Sequence, residues 1–146
     1  MKRIGIFLTA LLSALLCTLP ARAQHPDDLL GTWQSRKEVT RTCFEKNADG
    51  AYQARIVWLP EEEYIDGRPP KDVKNPDKAL RSRSLIGLVY IKDIRWKGDG
   101  WSTSHIYHPR FGLVAKGKIT LLEDGTLEVK GTKLGISQTE IYVKVN

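Results

Sequence analysis

Four stretches of this chain alternate apolar and polar side chains with a period of two, which puts every second side chain on one face of an extended strand. Tyr52, Ala54, Ile56 and Trp58 oppose Gln53, Arg55 and Val57, while Leu113, Ala115, Gly117, Ile119 and Leu121 oppose Val114, Lys116, Lys118 and Thr120. Leu127 and Val129 oppose Glu128 and Lys130, and Thr139, Ile141, Val143 and Val145 oppose Gln138, Glu140, Tyr142 and Lys144. The first-named set in each pair predicts a dry face. Asn47-Ala48-Asp49-Gly50, Gly98-Asp99-Gly100 and Glu123-Asp124-Gly125 each end in Asp-Gly, whose tolerance of positive φ suits tight turns between antiparallel strands. Further strands are expected through Thr32 to Gln34, Val39 to Phe44, Leu85 to Ile91 and Trp101 to Tyr107. The third of these is nearly all apolar, so it is buried on both faces or lies under a loop. Single helical turns are expected at Asp27 to Leu30 and, with Pro76 at its start, at Asp77 to Arg83. About eight antiparallel strands, each with one dry face, must close or stack to hide their edges.

Residues 1–23 read as a secretory leader. Lys2 and Arg3 give a positive start, Ile4 to Leu19 an apolar run, and Ala21-Arg22-Ala23 a small-x-small cleavage signal. The apolar run is short for a membrane span of about 20 residues, and Cys17 follows a leucine where lipidation wants a small residue. The expectation is therefore an exported chain, periplasmic or extracellular, that begins at Gln24 and keeps no transmembrane segment. The leader holds three cations and no acid, so its removal lowers the formal net charge from +6 to +3. The remaining Lys and Arg are scattered among acids rather than gathered in a stripe, which argues against a nucleic-acid partner. Residues 24–146 suffice for one domain with one core. Cys43 is their only cysteine, and it reads as a buried thiol, an intermolecular partner or a reactive group.

The interval Pro60 to Arg83 interrupts the strand pattern and carries four of the six prolines outside the leader. Connections of that length are uncommon in compact domains and are usually functional or disordered. Asn75 and Asp77 can bond nearby amides, the prolines lower the entropy lost on ordering, and Arg81 and Arg83 can pin the segment to carboxylates. Residues 60–83 are thus expected to form an ordered loop or lid, either capping a barrel mouth or touching a ligand.

Signatures of chemistry are sparse. There is no Gly-x-Ser-x-Gly elbow, phosphate-binding loop or Gly-x-Gly-x-x-Gly. His105 and His108, three apart on a strand, face opposite sides, and no third ligand is evident, so no metal is expected. No catalytic residue and no cofactor is assigned. Arg55, Arg81 and Arg83 could gather around an anionic group or pair with nearby acids. Trp33, Tyr52, Trp58, Trp101 and Tyr107 could fill a barrel or line an apolar pocket in it.

Leu30-Gly31-Thr32-Trp33 resembles the Gly-x-Trp opening of calycin barrels, the lipocalin and fatty-acid-binding group. That likeness implies a tryptophan plugging the closed end, with a cation from the last strand on its ring; Lys144 is the nearest candidate. A longer resemblance runs through Arg55-Ile56-Val57-Trp58-Leu59, Asp66-Gly67-x-Pro69, Asn75-Pro76-Asp77, Leu80-Arg81-x-Arg83-x-Leu85-x-Gly87-Leu88, Gly98-Asp99-Gly100-Trp101 and Ile106-Tyr107-x-Pro109-x-x-Gly112. In that order the pieces look like the secreted bacterial family called domain of unknown function 2147, which brings no established activity. The chain departs from it at three places. Gln53-Ala54 stands where the family often has a cysteine able to pair near Cys43, His108 replaces the aspartate of a Tyr-Asp-Pro turn, and a tryptophan on the last strand gives way to Glu140, Ile141 and Tyr142.

The expected fold is all-β: a single antiparallel, roughly eight-stranded, calycin- or lipocalin-like barrel with a long proline-rich loop. The expected function is non-catalytic binding of a small apolar or anionic amphipathic ligand, such as a fatty acid or envelope lipid. Trp33, Tyr52, Arg55, Trp58, Arg81, Arg83, Trp101 and Tyr107 are its candidate contacts. The alternative is an envelope structural or protein-interaction module whose barrel is filled by side chains; no protein partner is specified. The intact mass of the exported protein should correspond to a chain starting at Gln24, and a mass retaining Met1 would remove the leader.

Overall fold

The computed structural model describes residues 24–145; the leader expected over residues 1–23, Cys17 included, lies outside the described residues. Eight strands follow in order: β1 (Gly31–Ser35), β2 (Arg41–Lys46), β3 (Tyr52–Trp58), β4 (Val89–Trp96), β5 (Trp101–His108), β6 (Leu113–Leu121), β7 (Leu127–Lys133) and β8 (Ile136–Lys144). Each is antiparallel to the next, and β8 returns to β1, where Trp33 faces Lys144 and Gln34 faces Val143. The sheet is a closed barrel, so neither edge is left open. The expected turn residues make the tight connections. Asn47 Oδ1 accepts from the amides of Asp49 and Ala51 at 3.0 and 3.1 Å, and Asp124 Oδ1 accepts from the amide and hydroxyl of Thr126 at 2.9 and 2.6 Å. No helix among the described residues is long and apolar enough to cross a membrane.

One end of the barrel is plugged by a 3-10 turn, Pro26–Leu29, capped by His25 in a reciprocal arrangement with Asp28. Leu29 of this turn is fully buried. Three aromatic side chains from alternate strands donate to it: Trp33 Nε1 to the Leu29 carbonyl at 2.9 Å, Trp101 Nε1 to the Pro26 carbonyl at 3.1 Å, and the Tyr52 hydroxyl to Asp27 Oδ1 at 2.5 Å. Lys46 pairs with the same carboxylate at 2.7 Å. Lys144 Nζ lies 5.0 Å from the centre of the Trp33 ring, as the calycin likeness implied. Phe44, Ala54, Ile91, Ile94, Ile119, Leu127 and Val129 complete this core. Each large apolar side chain buried here contributes roughly 1.5–3 kcal/mol.

Three sequence expectations need correction. In β8 the period holds but the faces are exchanged: Tyr142, paired with buried Leu127, is buried, whereas Val143 is exposed. Tyr142 turns inward because its hydroxyl has a partner in Tyr90 Oη at 3.2 Å, and Glu140 follows it because Ser35 Oγ and the Lys37 amide donate to its Oε1 at 2.7 and 2.9 Å. In β3 a bulge sets Ile56 opposite Thr42 but Trp58 opposite Arg41, whose guanidinium stacks 4.8 Å from the Trp58 ring centre. Leu59, not Trp58, is the next buried residue. The stretch Leu85 to Ile91 is strand only from Val89 onward, and Leu85 to Leu88 pack beneath the long connection.

That connection has local structure of its own. It contains 3-10 turns at Glu61–Glu63 and Lys78–Leu80, the latter capped by Asp77, and a tight turn from Ile65 to Arg68. Its centre is Asp72, fully buried although ionisable. Tyr107 donates to Asp72 Oδ1 at 2.5 Å, while Asn75 Nδ2, Arg83 Nε and Arg83 Nη2 reach Asp72 Oδ2 at 2.8, 2.9 and 2.7 Å. Burial alone would push this carboxyl up, but the donors from Tyr107, Asn75 and Arg83 outweigh it and hold it below the ordinary carboxylate range. Tyr107 is pushed the other way, to about 12, by burial and then by its bond to Asp72. Arg81 Nε donates to the Asn75 carbonyl at 2.7 Å, closing the loop on itself. Gly112 fits it against the barrel: at φ +63 a Cβ there would stand 2.0 Å from the Lys74 carbonyl oxygen.

Tyr107→Phe leaves a buried carboxylate oxygen without its donor and should cost about 1–3 kcal/mol near neutral pH. Because the folded phenol titrates above its ordinary value of 10.0, its contribution is present below that pH and is lost as the pH rises toward about 12. Urea denaturation should therefore show the difference between wild type and variant narrowing through that window; a constant difference would remove the linkage. Gly112→Ala should destabilise the protein by more than about 1 kcal/mol, since the new residue is wrong for the backbone, and should expose residues 60–83 to limited proteolysis. Unchanged stability and protease resistance would show that the loop does not depend on this contact.

Candidate functional site

The opposite end of the barrel is hollow. A cavity of about 830 Å³ opens between the β1–β2, β5–β6 and β7–β8 turns and the start and end of the long connection. Toward the closed end its wall is Thr42, Ile56, Tyr90, Ile91, Ile106, Val129 and Tyr142. Small residues keep it open: Ala115 and Gly131 stand where larger side chains would reach inward. The aromatic mass lies below, around the 3-10 plug.

The cavity is not uniformly apolar. Thr42 Oγ1 and Tyr90 Oη share a hydrogen bond of 2.9 Å, and Tyr90 is bonded in turn to Tyr142, so three hydroxyls form a chain across the wall. Burial pushes the Tyr90 and Tyr142 phenols up, keeping both neutral and able to donate. Glu140 lines the same wall with two hydrogen bonds and no cation paired to it among the described residues. At the mouth stand Lys37, Lys133 and Arg110, the last paired with Glu63 at 2.9 Å. His108 Nε2 is 3.9 Å from Glu38 Oε1, and its buried Nδ1 has no hydrogen-bond partner among the described residues. No group of three or more His, Cys, Asp or Glu among the described residues could hold a metal. His105 sits beside Lys92 on β5, away from the cavity; burial and the Lys92 charge push its imidazole down.

Of the eight contacts read from the sequence, Tyr107 lines this cavity, bordering it while bonding to Asp72. Trp33, Tyr52 and Trp101 belong to the plug, and Trp58 stacks under Arg41. Arg55 donates to Glu45 at 2.8 Å and to the Gly87 carbonyl at 2.8 Å. Arg81 and Arg83 meet around Asp72 and Asn75 without Arg55. From the interval 60–83 only Glu63 reaches the cavity wall, so the segment buttresses the mouth from the side. Cys43 is half-buried, opposite Thr32 and Arg55. Sequence reasoning missed Tyr90, Tyr142, Glu140 and Thr42. The signal available was the second, polar half of the β8 alternation, which was assigned to water.

Comparison with known proteins agrees with this architecture. The chain is similar to HP1028 of the human pathogen Helicobacter pylori, a protein described as belonging to the lipocalin family, with a TM-score of 0.66 and 19% identity over 81% of this chain and 83% of that one. Identity that low carries the fold alone: a lipocalin-like, closed, eight-stranded antiparallel barrel. No curated protein matches the chain. A family model for an uncharacterized protein conserved in bacteria matches residues 31–144, and the chain belongs to that family, DUF2147.

Proposed function

We propose that this protein is an exported, non-catalytic carrier that holds one small amphipathic ligand, a fatty acid or envelope lipid, with its acyl chain inside the barrel. The observation that carries this is the cavity of about 830 Å³, within the roughly 300–1,000 Å³ typical of small-molecule sites. A barrel serving only as a structural module would have its interior filled, so the volume counts against that alternative.

The charges orient the ligand. A carboxylate or phosphate pushed past the mouth would meet Glu140, held by Ser35 and the Lys37 amide beside the β1–β2 turn, and beyond it an apolar wall that offers no cation. The cations of the lining, Lys37, Lys133 and Arg110, stand at the mouth, with Glu38 and Glu63 beside them. An anionic head therefore sits outermost, and the chain runs past Leu59 and Leu85 toward Ile56, Ile91, Ile106 and Val129. The hydroxyls of Tyr90, Tyr142 and Thr42 satisfy one another, which lets an apolar chain pass without stranding a polar group.

Gly131 supplies a clean test. A Cβ built there meets nothing nearer than Ala115 Cβ at 3.8 Å, so Gly131→Phe fills the cavity without straining the strand. Native mass spectrometry of the purified wild type should show a stoichiometric adduct that organic extraction removes. A fluorescent fatty acid should then bind the extracted protein, and bind Gly131→Phe at least about tenfold more weakly, with circular dichroism unchanged. A clean apo mass together with no probe binding by the wild type would overturn the carrier function.

A further inference from the structure

Four non-glycine residues among the described ones have positive φ: Val39 at 56°, Asp66 at 51°, Asp93 at 51° and Leu134 at 50°. Aspartate tolerates this region; a β-branched valine or a leucine does so only under constraint. Both aliphatic cases are turn tips at the cavity mouth. Leu134-Gly135, at φ 50° and 79°, forms the β7–β8 hairpin loop, a position that Asn-Gly fills at least cost. The leucine there is disfavoured twice, by its backbone and by solvent, for it is 93% exposed.

The exposed side chains around it belong to the same rim. Ile136 is 72% exposed, Phe111 59% and Val39 43%, and these come from the three turns that surround the opening. Lys37, Glu38 and Lys133 stand among them, with Arg110, paired to Glu63, beside Phe111. Separate protruding tips around a hole make a poor protein interface, which needs a continuous, closely packed surface; a protein seated there would also leave the cavity unfilled beneath it. A lipid surface has neither difficulty. It wets isolated apolar tips, and its molecules can enter the opening.

We propose that the open end of the barrel docks on a lipid bilayer, with Val39, Phe111, Leu134 and Ile136 entering the headgroup layer and the cavity mouth facing the acyl chains. This rests on the carrier function proposed for the cavity, and it names the bilayer as the place where the ligand is exchanged.

The test is co-sedimentation of the wild type, Val39→Asn and Leu134→Asn with vesicles of phosphatidylcholine containing phosphatidylglycerol, and with phosphatidylcholine alone. The wild type should partition to both kinds of vesicle. Leu134→Asn should partition about tenfold less while unfolding at equal or higher denaturant, since asparagine suits the turn. Val39→Asn should also lose partitioning yet keep wild-type affinity for a fluorescent fatty acid in vesicle-free buffer. Wild-type protein that stays in the supernatant at every lipid concentration overturns the docking, as does equal partitioning of the variants. Self-association through the rim, seen by size exclusion and lost in the variants, without vesicle binding, also overturns it in favour of a second copy of the chain. The two proposals fail separately: vesicle binding without probe binding removes the carrier and keeps the docking, and the reverse result does the opposite.

Discussion

Three aromatic donors, from β1, β3 and β5, converge on one short 3-10 turn, and much of the remaining architecture depends on that convergence. A turn of four residues leaves polar backbone groups without partners of their own, and burying them unsatisfied would be costly. Two indoles answer two of its carbonyls. Each such bond contributes only about 0.5–1.5 kcal/mol net, yet together they tie alternate strands to a common point and resist sliding of the sheet. They also concentrate the largest rings at one end. At the other end the rings of Tyr90, Tyr107 and Tyr142 share the wall with the small side chains Thr42, Ala115, Val129 and Gly131, and an opening remains.

The shape of that opening depends on a second point, Asp72. A buried carboxylate is tolerable only when its oxygens are occupied, and here a tyrosine, an asparagine and an arginine occupy them. Two of the three come from the same connection, and the third comes from β5, so the loop folds around the charge and is fastened to the barrel by it. The close approach of Lys74 to Gly112 adds a steric fit to the β5–β6 turn that carries Phe111. Loop closure grows costlier only slowly with length, and the prolines reduce what remains.

Alternation made the strands legible. β3 and β6 carry the expected bounds, with Tyr52, Ala54 and Ile56 buried in the first and Ile119 in the second, although Leu113, expected on the dry face, is 47% exposed, and the Asp-Gly turns fell where aspartate and asparagine could bond their own backbone. The same rule misassigned β8. Ile141 and Val143 are the more apolar set, but the interior there is a cavity wall, and Tyr142 and Glu140 have partners inside that Ile141 and Val143 could not use. A wall facing an opening is not required to be apolar, so hydrophobicity ceases to report direction. Most of the aromatic candidates lie outside the cavity for a related reason. Ring size suggested a binding surface, but the donor groups on Trp33, Tyr52 and Trp101 decided their positions, and the carbonyls they answer were not visible without the fold. Trp58 was turned by a bulge at β3, a one-residue event that periodicity averages away.

The placement of the indoles has a spectroscopic consequence. Trp33 and Trp101 sit in the plug, Trp96 packs edge-on against Trp101 with ring centres 4.9 Å apart, and Trp58 lies under a guanidinium. None of the four touches the cavity. Indole emission from this protein is thus a gauge of whether the barrel is shut at its base, and a compound could enter the mouth, past Tyr90, Tyr107 and Tyr142, without contacting a single tryptophan. Collisional quenching of the indoles would stay silent on occupancy. Energy transfer to an absorbing guest, which acts through space, is the optical signal the architecture permits.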